Sequence, residues 1–115
     1  MTSTSPETTL AKATMHDVMA PLLAAMYGEF KELSKKKPDS AVSKSKLLIV
    51  NRLLEKIRGV LSAEQSIDFL DLLSEDDVPQ ASDVTLIISQ YVAAMEAFKN
   101  KYYGWDGSKH RWFAK

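Results

Sequence analysis

The chain has 115 residues, 45% hydrophobic and 26% charged, with 15 basic and 15 acidic side chains and no cysteine. One globular domain with a single core fits that length and composition, and the missing cysteine excludes disulfide staples, thiolate catalysis and cysteine-ligated metal. The first residues lack the basic region and apolar core of a signal peptide, and no apolar run approaches the roughly 20 residues a membrane-spanning helix needs, so a cytoplasmic chain without membrane contact is expected.

Charge is neutral in sum and segregated along the chain. Residues 31–58 carry a net +6, and residues 59–83 a net −7 with no base among them. Blocks of opposite sign usually neutralise each other within a fold, and they can also align a second molecule.

In chain order, residues 1–13 are rich in Ser and Thr and read as a disordered N-terminal lead. From Thr14 the spacing of Met15, Val18, Met19, Leu22, Met26, Phe30 and Leu33 predicts a helix with one apolar face, ending before Pro38. Thr14 with Asp17 resembles an N-terminal cap, while Pro21 either bends that helix or begins it. A second helix is expected from Ser43 to Leu61, with Ile49, Val50, Leu53, Leu54, Ile57, Val60 and Leu61 on one side. Ser62 and Gln65 form the pattern of a capping box, opening a short third helix to Ser74. Ser82 is expected to cap a fourth, whose stripe is Val84, Ile87, Ile88, Tyr91, Met95, Phe98 and Tyr102, with Gly104 at its C-terminal cap. No strand alternation stands out. The expected architecture is all-α: three long helices and one short helix in a compact bundle over 14–103, followed by an aromatic and basic arm over 104–115.

Little in this sequence resembles a reaction centre. Glu64, Asp68, Asp71 and Glu75 would share one face of the third helix, but no histidine joins them, so a solvated acidic face is expected rather than a metal site. His16 has no second donor three or four residues away. Neither a strained serine turn nor a glycine-rich phosphate loop is present. No catalytic residue, metal ligand or cofactor is therefore assigned, and an enzyme assembled across helices is the weakest of the readings.

Half of the ten aromatic residues lie in the last fourteen positions. Trp105, His110, Arg111, Trp112 and Phe113 read as a partner-binding arm, because Trp and Arg are enriched where interfaces are strongest. Packing of the arm onto its own helices is the plainer alternative. The expectation for function is a non-catalytic interaction or regulatory module that associates with itself or another protein. A nucleic-acid binder using Lys44, Arg52, Lys56 and Arg58 with the tail aromatics is the alternative, weakened by a neutral chain where such domains are basic.

Overall fold

A computed structural model describes residues 6–115. Three α-helices, α1 (Leu10–Lys36), α2 (Lys44–Val60) and α3 (Ala81–Tyr102), enclose one core, and two short strands, β1 (Tyr103–Trp105) and β2 (His110–Trp112), follow. The described chain is mostly helical, with a small antiparallel sheet that the sequence reading lacked. No helix among the described residues is long and apolar enough to cross a membrane.

Helix α1 begins at Leu10, four residues ahead of the expected start. Thr9 is the cap: its hydroxyl accepts from the Lys12 amide at 3.1 Å. The segment before it is engaged too, since the Thr8 amide donates to the Phe113 carbonyl and its own carbonyl accepts from the Lys115 amide, both at 3.0 Å. The lead expected over 1–13 thus holds helix and bridge from Thr8 onward, while residues 1–5 lie outside the described segment. Pro21 sits inside α1 rather than at its start. Lacking an N–H, it leaves the Asp17 carbonyl without its intrahelical donor.

The buried side of α1 is Ala13, His16, Met19 and Leu23. The stripe read from sequence overlaps this face only in part: Met19 is buried and Met26 and Phe30 pack against the core, while the buried side is turned toward Ala13, His16 and Leu23. Met15, Val18 and Leu22 of that stripe are exposed. The helix is apolar around much of its circumference, and the core takes only part of it.

Helix α2 has the expected bounds to within a residue, with Ser43 as its cap accepting from the Lys46 amide; Val50, Leu54, Ile57 and Val60 are buried as expected, but Leu47 is buried where Ile49 was expected and Ile49 is exposed. Helix α3 buries Val84, Ile88, Tyr91, Met95, Phe98 and Tyr102 as its spacing foretold. Its cap is Gln80, not Ser82; the Gln80 amide donates to the Asp83 carboxylate at 2.9 Å. The α1–α2 connection then ties down the start of α3. Val42 donates to the Pro79 carbonyl, and Ala81 and Ser82 donate to the Ser40 and Pro38 carbonyls.

The expected third helix is absent. Residues Gln65–Phe69 form a 3₁₀ turn, the chain runs extended through Leu70, and a second 3₁₀ turn spans Glu75–Asp77. Helix α2 supplies the reason. Asn51 grips Leu73 with both ends of its amide, accepting from the Leu73 N–H at 2.9 Å and donating to its carbonyl at 2.7 Å. Arg58 donates to the Leu70 carbonyl. From α3, the Tyr91 hydroxyl donates to the Asp71 carbonyl at 2.9 Å, and burial pushes that hydroxyl's pKa above its ordinary value. Side chains of two helices thus hold backbone groups that an α-helix would have satisfied internally. Ser62 belongs to the end of α2, donating to the Gly59 carbonyl.

The extended segment fills the space between α2 and α3, with Leu70 buried and Leu73 packed on the core. The C-terminal strands cover one end of the seam between α1 and α3. Among the described residues, the seam between α1 and α2 has no such cover.

Candidate functional site

The tail folds home. Tyr103 pairs with Trp112 and Trp105 with His110 across an antiparallel hairpin, whose turn places Gly107 at φ +99, a left-handed position natural to glycine. The Trp112 indole lies against the rings of His16, Tyr103 and Phe98, with centroids at 5.1, 5.4 and 5.9 Å, and its N–H donates to Asp17 at 3.1 Å. Phe113 packs over Gly104, where an added Cβ would stand 3.5 Å from the ring. Arg111 pairs with Asp106 and lies above the Phe113 ring. Only Trp105 and His110, stacked edge to face at 5.3 Å, present aromatic surface outward. The five arm residues are brought together, and two of them are committed to holding the chain's ends.

Beneath Trp112, buried His16 donates through Nε2 to the Met95 carbonyl at 3.0 Å. Its Nδ1 has no hydrogen-bond partner among the described residues and lies 3.8 Å from an Asp17 oxygen. Stacked on Phe98, this histidine belongs to the core. No group of three or more described side chains is placed to hold a metal ion.

Asp106 organises the hairpin turn by accepting from the Ser108 and Lys109 amides at 2.8 and 2.9 Å and from Arg111 at 2.7 Å. The Lys109 amide first, then Ser108 and Arg111, hold its carboxyl below the ordinary carboxylate value. A depressed folded value means its contribution is complete above the unfolded value of about 3.9 and lost as pH falls through the folded one. We expect the Ser108 and Lys109 amides to lose exchange protection below pH about 4, and Asp106→Asn to lack that acid step in an NMR titration. An unaltered acid step in the variant would contradict this role.

The acidic quartet is dispersed with the helix that was to carry it. Glu64 turns to α3, accepting from the Tyr102 hydroxyl at 2.9 Å and pairing with Lys101 at 3.3 Å. Asp71 is exposed on the extended segment. Of the four bases of the nucleic-acid reading, Lys44, Arg52 and Lys56 are exposed, whereas Arg58 is directed inward to Leu70.

An open apolar groove lies elsewhere, along the α1–α2 seam. Two hollows of about 520 and 440 Å³ share Met26 and Ile49 as walls and so form one groove. Val18, Leu22 and Ile49 on its walls are 55%, 56% and 53% exposed, an uncommon arrangement for large aliphatic side chains that adjoin one another. Between Val18 and Leu33 the groove follows α1 for about 22 Å at 1.5 Å per residue. Lys46, Arg52 and Lys56 stand along it from α2, with Glu29 the one acid on its walls. The sequence did contain this signal: most of the predicted apolar stripe of α1, from Val18 to Leu33, lines the groove.

Comparison with known protein families, characterised proteins and solved structures finds no match to this chain.

No close ion pair joins the two charge blocks among the described residues, although Arg58 reaches the acidic segment at the Leu70 carbonyl. Among the described residues, Lys44, Lys46, Arg52 and Lys56 make no ion pair, and neither do Asp68, Asp71, Glu75, Asp76 or Asp77. The ion pairs present among the described residues join Lys35 to Glu32, Lys101 to Glu64 and Arg111 to Asp106.

Proposed function

We propose that this chain is a non-catalytic interaction module that associates with further copies of itself, docking through the α1/α2 groove and not through the aromatic arm. The observation that carries the proposal is the exposure of Val18, Leu22 and Ile49 in one continuous groove. Covering such surface stabilises association by about 25 cal/mol per Å² before the costs of ordering. A second copy is the favoured occupant because the chain carries unpaired blocks of both signs, and each block's complement is present on every copy. The aromatic arm then serves stability, leaving Trp105 and His110 as its outward surface.

Light scattering on a size-exclusion column tests the reading. The wild-type chain is expected to exceed one chain mass and to grow heavier with concentration, while Ile49→Glu stays at one chain mass with unchanged helicity, since position 49 is exposed. A wild-type chain at single mass up to about 0.5 mM, where contacts with dissociation constants tighter than millimolar are populated, would overturn the proposal. Nucleic-acid absorbance travelling with the protein peak would favour the phosphate-contact role of Lys44, Arg52 and Lys56 instead.

A further inference from the structure

Resting on self-association, we infer that the groove of one copy receives the acidic face around residues 71–87 of the next, so that copies join head to tail. The sign of the groove decides against a symmetric contact. Its walls carry three bases against Glu29 alone. A groove facing its own twofold mate would bring two such basic surfaces together, and like charges juxtaposed at an interface are strongly disfavoured.

The acidic face has the matching character. Asp71, Asp77 and Asp83 line one hollow together with Leu72, Leu73 and Ile87. Leu72, Val78 and Leu86 on and beside it are 40%, 61% and 60% exposed. Asp71 and Asp77 direct no side-chain hydrogen bond or ion pair into the described fold, whereas Asp83 serves the start of α3. Apolar side chains flanked by free carboxylates thus stand on one part of the molecule, and apolar side chains flanked by free Lys and Arg on another. The first is built from the α2–α3 connection and the start of α3, the second from α1 and α2, so a copy can offer both at once. A symmetric dimer closes at two copies; a head-to-tail contact leaves a free groove at one end and a free acidic face at the other, and continues to a ring or a filament.

Charge reversal on the full chain tests this. Arg52→Glu with Lys56→Glu reverses the groove, and Asp71→Lys with Asp77→Lys reverses the acidic face; all four positions are exposed, and far-UV circular dichroism verifies unchanged helicity. Each pair alone is expected to weaken self-association by more than about tenfold, read as mass against concentration by light scattering. The chain carrying all four reversals is expected to recover association, because each reversed groove then meets a reversed face. Raising salt should weaken association of the wild-type and fourfold chains alike. Loss of association on reversing the groove but not the acidic face, or no recovery in the fourfold chain, would overturn the head-to-tail contact while leaving the groove as an interface. A wild-type chain that never exceeds one chain mass would overturn self-association itself.

Discussion

Trp112→Ala is expected to lower the unfolding free energy by about 3 kcal/mol, the low end of the range for truncating large aromatics in a core, because this indole is only partly buried. The loss has three sources. Ring contacts with His16, Phe98 and Tyr103 disappear, a cavity opens against buried His16, and Asp17 loses the indole N–H. Urea unfolding followed at 222 nm should show a midpoint lower by roughly 1.5–2 M for a chain of this size. Trp112→Phe should recover much of the difference by restoring the ring without the donor. Because β2 leads into the residues that hold Thr8, the alanine variant should also speed exchange of the Thr8 and Leu10 amides, which bond to Phe113 and Lys115. A change below about 1 kcal/mol, within the range of ordinary surface substitutions and weak contacts, would show that the hairpin contributes little to the fold.

Asn51→Ala is expected to cost about 2–3 kcal/mol. The side chain satisfies both backbone groups of Leu73, and an unsatisfied donor or acceptor out of water costs about 1–3 kcal/mol. Partial access of water to this site keeps the total below the sum of two full penalties. The effect should be local before it is global. Hydrogen exchange at Leu73 should accelerate well beyond that at Leu54 or Ile57, since the extended segment loses its grip on α2 while the helices keep their own bonds. Equal acceleration at all three amides would mean that the segment unfolds only with the whole molecule and that Asn51 has no special hold on it.

Much of the helical content was legible because α2 and α3 each bury one face, and a single buried face leaves a clean three-and-four spacing. In α1 the same spacing misled, since His16 and Ala13 line the core while Val18 and Leu22 face water. Periodicity registers an apolar stripe without saying whether protein or solvent lies beyond it. The 62–74 segment failed for a different reason: its spacing of Ile67, Leu70 and Leu73 suits a helix, and the groups that prevent one, Asn51 and Arg58, lie on another element. The hairpin could have been found. Asp106-Gly107 between Tyr103, Trp105 and Trp112 is a strong short-range hairpin pattern, and the same aromatic residues suit a docking arm equally well. Of the candidate interaction residues, Arg52 and Lys56 lie along the groove, whereas its apolar walls were read only as helix faces.

The bonds from Thr8 and Leu10 to Phe113 and Lys115 also set an order on the making of the molecule. Contacts between residues so far apart in sequence are slow to form, because the long intervening chain must first be brought to heel. During synthesis α1 and α2 can pair soon after residue 60 is made, but the first turn of α1 keeps an open flank until residue 115 clears the ribosome. His16 stays without its Trp112 cover for that interval, and the α1/α2 groove is exposed throughout it. Until the hairpin closes, the opening turns of α1 are held only from one side, and that flank, with the Trp112 seat on His16 and Phe98 still empty, is where a partly made chain can engage other chains.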